Sequence, residues 1–288
     1  MEPLFAPDVF TPLAHGLQHP EGLCWDPLTS RIYCGGEGGQ IYSVTLDGEV
    51  REVANTGGSV LGMAVDARGR VYACDYERQD VARVDPETGK VETYTAGAPG
   101  EPLEEPNWPV FDDVGVMYVT GSLNGAIFRV APGGETKVWA RGRGADGYPN
   151  GCMLSPDGRW LYVVQSHPED DFEGGRVWRF PIRDDDSAGE PEIVVELPRT
   201  VPDGVTFDGD GNLYVAYYRP DELDRVSADG TRRILVDNWE ASHLNAPTNL
   251  AFVGANLDRA VAACVGEDYL AIADLGVTGS PLRYPDVG

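Results

Sequence analysis

The feature that most limits how this chain can fold is an internal repeat with several short strands in each unit. The first two units are EGLCWDPLTSRIYCGGEGGQIYSVTLDGEVREVA and LGMAVDARGRVYACDYERQDVARVDPETGKVETYT. Their shared order is an apolar strand, an Asp-containing turn, a strand with Tyr, a strand ending in Val and an alternating outer strand. The order returns in segments that begin NWPVFDD, NGCMLSP, DGVTFDG and NLAFVGA. Six units with a period of roughly 40 to 50 residues predict an all-β fold, a six-bladed β-propeller with four-stranded blades.

The organisation of the whole chain agrees with a closed ring. Its 36 Gly and 22 Pro are scattered, and no linker divides the sequence, so we predict that residues 1–288 form a single domain. The sixth unit lacks a clear fourth strand. We expect the N-terminal segment DVFTPLA to supply it, which closes the ring and removes exposed strand edges.

Charge and cysteine content limit the partners and the compartment. Lys and Arg total 22 against 47 Asp and Glu, a net charge of −25 that disfavours nucleic acid and membrane surfaces as partners. The N-terminus has neither the basic nor the apolar region of an export signal. Five cysteines in apolar, strand-like runs form no CxxC pair. We therefore expect reduced, buried thiols in a cytoplasmic protein with a small-molecule substrate; the oligomeric state stays open.

One position of the repeat carries side chains suited to metal binding. It lies five residues before the first turn of each unit, where the innermost strand begins, and innermost strands line the channel of a propeller. The residues there are Glu21, Leu61, Asn107, Asn150, Asp203 and Asn249. Two carboxylates and several amide oxygens in one ring favour a hard divalent cation, Ca²⁺ ahead of Zn²⁺, with Mg²⁺ or Mn²⁺ possible if waters complete the shell. Asn249 can also be explained as a strand cap.

An alternative explanation of these residues is local turn formation. Pro149-Asn150-Gly151 and Pro202-Asp203-Gly204 have the composition of turns, and Pro156-Asp157-Gly158 is the same kind of tripeptide in a hairpin. The recurrence of such residues at one position of successive units favours the metal site over separate turns.

The motifs together resemble those of the senescence marker protein/gluconolactonase (regucalcin-like) family of six-bladed propellers. The resemblance covers essentially the whole chain, through HPEGLCWD, YPNGCMLSPDGRWLYV, VPDGVTFDGDGNLYVA and APTNLAF. It implies a catalytic Ca²⁺ or Zn²⁺ held by Glu21, Asn150 and Asp203, with Asp203 also the general base. It further implies that Asn107 contacts the substrate or binds the ion through water.

The sequence departs from this family at the third unit. Members that act on sugar lactones often have Arg-x-Asn-Asp-Gly there, whereas this chain has Glu105-Pro106-Asn107-Trp108-Pro109. An acid stands in place of the Arg, and an aromatic residue follows the Asn. We therefore predict that Glu105 and Trp108 join Asn107 as substrate contacts, and that the substrate is less polar than gluconolactone, or cationic.

The predicted activity is metal-dependent hydrolysis of a lactone, with the cation polarising the carbonyl and Asp203 taking a proton from water. The same predicted metal site leaves three alternatives: a phosphotriesterase, a lyase or isomerase, and a non-catalytic calcium-binding protein. No nucleophilic triad competes, because neither Ser166 nor Ser242 lies in a Gly-x-Ser-x-Gly elbow. Whether His167 or His243 takes part is left open.

Overall fold

Six four-stranded antiparallel sheets make up the fold in the computed structural model, which describes residues 2–167 and 174–288. From the innermost strand outward, blades 1 to 3 contain Leu23–Asp26, Arg31–Gly35, Gln40–Val44 and Val50–Asn55; Val60–Val65, Val71–Asp75, Asp80–Asp85 and Lys90–Thr95; Pro106–Phe111, Met117–Gly121, Ala126–Val130 and Thr136–Arg141. Blades 4 to 6 contain Pro149–Leu154, Trp160–Gln165, Gly174–Pro181 and Glu192–Pro198; Val201–Phe207, Leu213–Arg219, Glu222–Val226 and Arg232–Asp237; Pro247–Val253, Arg259–Cys264, Tyr269–Ala273 and Thr11–His15. A 3-10 turn at Pro7–Val9 and a hairpin of Gly97–Ala98 with Glu101–Pro102 lie outside the blades.

The blades form a closed ring, which confirms the predicted six-bladed propeller. Each innermost strand contacts the innermost strand of the next blade, and the sixth contacts the first. Thr11–His15 pairs with Tyr269–Ala273 as the outermost strand of blade 6, so the N-terminal strand closes the ring as expected. Among the described residues, no helix has the length and apolar character needed to cross a bilayer.

Burial explains why these segments become inner and outer strands. The innermost strands PNWPVF and PNGCML are buried at every position, whereas the outer strand of blade 3, TKVWAR, mixes buried and exposed residues. Hydrophobic cores fill the spaces between adjacent blades. All five cysteines are buried in strands and free of disulfide bonds, as predicted.

Aspartates hold the first turn of several blades. Asp66, Asp112 and Asp208 are each followed by amides two and four residues on that donate to the aspartate Oδ1, at 2.8–3.0 Å. These carboxylates replace backbone partners inside a tight turn, which is why an acid recurs at that position of the repeat.

Glycines allow the innermost strands to approach each other closely. A Cβ on Gly22 would lie 2.1 Å from the carbonyl oxygen of Leu61, one on Gly151 2.4 Å from that of Asp203, and one on Gly204 2.6 Å from that of Thr248. The Pro-Asn-Gly and Pro-Asp-Gly segments lie inside strands, at shifts in register, and are not turns. The local-turn explanation therefore fails for them, although it holds for Pro156-Asp157-Gly158.

We expect the substitution Gly151→Ala to lower the free energy of unfolding by about 2 kcal/mol, because the added methyl group must displace backbone atoms of blade 5. The change corresponds to a fall in Tm of roughly 5 °C for a protein of this size, measurable by thermal or urea denaturation. Gly209→Ala is the matched control, since its Cβ would meet only Thr278 Oγ1 at 3.3 Å and other atoms from 3.5 Å. Equal stabilities for the two variants would contradict the close packing of the inner strands.

Candidate metal and substrate site

A cavity of about 520 Å³ opens at one end of the central channel. Its lining includes five of the six residues at the repeated position, namely Glu21, Leu61, Asn107, Asn150 and Asp203. The sixth, Asn249, lines a separate apolar cavity instead, and its Nδ2 donates to the carbonyl oxygen of Leu23 at 3.3 Å. The fold thus brings residues from five blades to one pocket, and Asn249 ties blade 6 to blade 1.

The amide side chains in this pocket present oxygens that lack protein partners. Asn107 and Asn150 are 3% and 5% exposed, and within the described part of the chain neither Oδ1 accepts a hydrogen bond. The Nδ2 of Asn150 donates to Ser166 Oγ at 3.2 Å, which leaves the Oδ1 free to bind a ligand. Buried acceptors without donors are costly, so this arrangement fits a bound cation.

The two carboxylates at the repeated position, those of Glu21 and Asp203, repel each other. Asp203 is 5% exposed; burial and the charge of Glu21 raise its pKa well above the ordinary value, although a hydrogen bond from Asn150 opposes the shift. Burial, with a smaller effect of the Glu37 charge, raises the pKa of Glu21 to about 7. A divalent cation between the two acids would offset both the desolvation and the repulsion.

The chemistry of the donor set selects among cations. Across residues 2–167 and 174–288, no group of three or more His, Cys, Asp and Glu side chains could hold an ion. Binding of a cation here would therefore need an amide oxygen, that of Asn150, in addition to the two acids. Such an all-oxygen set suits a hard cation such as Ca²⁺ better than Zn²⁺.

Hydroxyl groups hold the backbone of these residues from adjacent blades. Thr120 Oγ1 donates to the carbonyl oxygen of Asn150 at 2.8 Å, and Thr248 Oγ1 donates to that of Glu21 at 2.9 Å. Ser122 and Ser166 donate in the same way to Pro149 and Pro202, at 2.7 and 2.6 Å. The sequence analysis missed these four residues. The available signal was the serine that directly follows the second strand in both blade 3 and blade 4.

Three residues at the mouth of the pocket have left-handed backbone conformations. His19, Glu105 and Tyr148 have φ values of 45°, 50° and 64°, and each precedes a proline that is followed by one of the candidate ligands. Such conformations cost roughly 1–3 kcal/mol for residues other than glycine and concentrate at functional sites. In each of these three-residue corners, the residue before the proline lies at the rim of the pocket and the residue after the proline lies in its interior. All three rim residues line the pocket.

Trp108 occupies a different environment from Glu105 and Asn107, with which the sequence analysis grouped it. Its ring packs where a Cβ on Gly62 would be, and it lines the apolar cavity with the C-terminal segment 280–284. Because successive side chains of a strand point to opposite faces, its side chain does not share the pocket that Asn107 lines. The structure thus places Glu105 and Asn107, but not Trp108, where a substrate would bind.

The two histidines left open by the sequence are also separated. His167 lines the pocket, its ring centroid is 5.9 Å from that of Tyr148, and burial lowers its pKa below the ordinary value. His243 lies in an exposed loop, where its Nδ1 is 2.9 Å from Ser242 Oγ. Of the two, His167 has the position to exchange protons with a bound substrate.

Comparison with known proteins gives the family. A family model described as SMP-30/Gluconolactonase/LRE-like region matches residues 20–263. The gluconolactonase of Zymomonas mobilis subsp. mobilis is 26% identical over 181 residues, which cover 54% of this chain and 48% of the relative. The lactonase drp35 of Staphylococcus saprophyticus is 25% identical over 252 residues, 81% of this chain and 74% of the relative. The match thus spans about half the length of the first relative and about three quarters of the second.

A solved structure shares the architecture over its whole length. The calcium-binding protein regucalcin from Agrobacterium tumefaciens superposes with a TM-score of 0.74 at 16% identity, covering 100% of both chains. This likeness shows the fold. Because the family model matches most of the sequence, the chain belongs to the SMP-30/gluconolactonase/LRE-like family that its motifs resemble.

Proposed function

We propose that this protein is a lactonase, a hydrolase of small cyclic esters that depends on a divalent cation, with Ca²⁺ preferred. The observation that carries the proposal is the convergence of the carboxylates of Glu21 and the buried Asp203 with two unpartnered amide oxygens on one open cavity. The relatives are named gluconolactonase and lactonase, which supports a lactonase-type activity. The name of the regucalcin structure includes calcium binding, which supports the choice of ion.

Each residue of the pocket has a role in this reaction. Glu21, Asn150 and Asp203 would hold the cation, which when bound supplies Lewis acidity to polarise an ester carbonyl. Asn107 orients the substrate through its buried amide. Asp203 accepts the proton of the attacking water, and His167, which lines the same pocket, relays that proton to solvent.

The charge of the pocket also favours release of product. Hydrolysis of a lactone converts a neutral ester into a carboxylate. Glu37 and Glu105 line the pocket that this product must leave. Repulsion between these acids and the new carboxylate opposes its retention.

The substitution Asp203→Asn keeps the shape of the side chain but removes its basic oxygen and its charge. We expect kcat for lactone hydrolysis to fall by at least about 100-fold, the lower end of the usual contribution of a general base. The rate would be followed with a pH indicator over a panel of γ- and δ-lactones. Asp184→Asn, in an exposed loop, is the matched control and should retain wild-type rates. Undiminished turnover in the Asp203 variant would remove this residue from the mechanism.

Removal of the cation by a chelator should lower Tm, and Ca²⁺ should restore it. A ligand at 100 times its Kd stabilises the folded state by about 2.7 kcal/mol, or roughly 5–10 °C here. Asn150→Ala should reduce this Ca²⁺-induced shift, because it removes a ligand oxygen. Asn249→Ala is the control from the same position of the repeat, and its shift should match the wild type.

Two results would separate the alternatives. A Ca²⁺-induced shift without hydrolysis of any lactone would favour a non-catalytic calcium-binding protein. Absence of a shift with every divalent cation tested would remove the metal from the proposal.

A further inference from the structure

The pocket contains more acid than a bound divalent cation would neutralise. Its lining includes Glu21, Glu37, Glu105 and Asp203, whereas none of its described lining residues is a lysine or an arginine. A cation held by Glu21 and Asp203 would balance those two charges and leave the charges of Glu37 and Glu105. A site in this state repels anionic ligands and attracts cationic ones.

Glu105 is positioned to attract a cationic ligand. It lies at the rim with a left-handed φ of 50°, and within the described part of the chain no lysine or arginine forms an ion pair with it. The nearby Glu101, by contrast, pairs with Arg141 at 2.7 Å. The carboxylate of Glu105 lies close to the phenol of Tyr148, whose pKa is raised mainly by burial and then by that charge. Tyr148 thus holds Glu105 on the pocket wall without neutralising it.

Aromatic rings complete the same wall. Tyr76 lines the pocket and is 37% exposed, so its ring is accessible to a ligand, whereas the guanidinium of Arg219 already lies 5.0 Å from the ring centroid of Tyr218. Tyrosine rings attract ammonium groups within about 6 Å of the ring centroid, and a nearby carboxylate strengthens the attraction. Acids and an accessible tyrosine ring, with no lysine or arginine among the described lining residues, are the features expected of a site for an organic cation.

Building on the proposed lactonase activity, we propose that the substrate is a small lactone bearing an ammonium or quaternary amine group, and that Glu105 is the residue that selects for this charge. The cationic group lies between Glu105 and the rings of Tyr148 and Tyr76, while the ester faces Asn107 and the cation-binding residues. Glu37, which lies 3.5 Å from His19 Nδ1, contributes to the same field from blade 1.

The test compares three γ-butyrolactones that differ only at the α-carbon: a trimethylammonium, a tert-butyl and a sulfonate substituent. We expect kcat/KM of the calcium-loaded protein to be at least about tenfold higher for the cationic lactone than for its neutral isostere, and lowest for the anion. Because the ammonium group also activates the adjacent ester, the diagnostic quantity is the change in the ratio of kcat/KM for the cationic and neutral substrates, which Glu105→Gln should lower at least about tenfold relative to the wild type. Glu104→Gln, which removes the same charge one residue outside the pocket, should leave the ratio unchanged.

Direct binding separates this inference from the proposed function. Calorimetry with tetramethylammonium should detect binding to the calcium-loaded wild type and to the Glu104 variant, and clearly weaker binding to the Glu105 variant. If tetramethylammonium binds in this way but no lactone is hydrolysed, the cation site stands and the lactonase assignment fails. The proposed selection for charge is wrong if lactones are hydrolysed with equal kcat/KM for the cationic and neutral substrates. It is also wrong if tetramethylammonium binds equally well to the wild type and to the Glu105 variant.

Discussion

The contact between innermost strands of neighbouring blades is the constraint on which the rest of this structure depends. A propeller closes only if its inner strands approach the axis, and here the approach is so close that Gly22, Gly151 and Gly204 face backbone atoms of the next blade. Hydroxyl groups of Thr120, Ser166 and Thr248 also donate between neighbouring blades to backbone carbonyl oxygens. Because these links run through the residues beside the candidate ligands, the packing that closes the ring also positions the site.

The same geometry creates a conflict that the site must resolve. Inner strands this close leave little room for water, so Asp203, Asn107 and Asn150 are almost fully buried, and burial disfavours a charged carboxylate. The left-handed corners before the prolines add backbone strain at the rim. Burial of a carboxylate and backbone strain persist in a folded protein where a bound ligand offsets their cost. Their location at the mouth of the channel, and not in the blades, therefore agrees with a compromise between stability and function at that site.

The repeat was sufficient to predict the fold from the sequence, because each blade carries the same order of strands and turns. It was also sufficient to predict which side chains meet at the axis, since Glu21, Asn107, Asn150 and Asp203 do line one pocket. Trp108 directly follows Asn107, and because successive side chains of a strand point to opposite faces, it packs against Gly62 and not in the pocket. Asn249 lies at a shift in register, which sequence spacing does not reveal. The hydroxyls of Ser122 and Ser166 were overlooked because their partners are backbone atoms of another blade, which no side-chain pattern reveals.

The composition of the ligand set determines how much charge remains for the substrate. In the proposed ligand set, Glu21 and Asp203 supply two negative charges, which equal the charge of one divalent cation, and the amide of Asn150 adds an oxygen without adding charge. A third carboxylate among the ligands would have made the bound site anionic in itself. With such a balanced set, the field that a substrate would meet comes from the rim, where Glu37 and Glu105 lie without lysine or arginine among the described lining residues. Under the proposed function, the interior of the pocket would carry out the reaction, and the rim would select the substrates that enter.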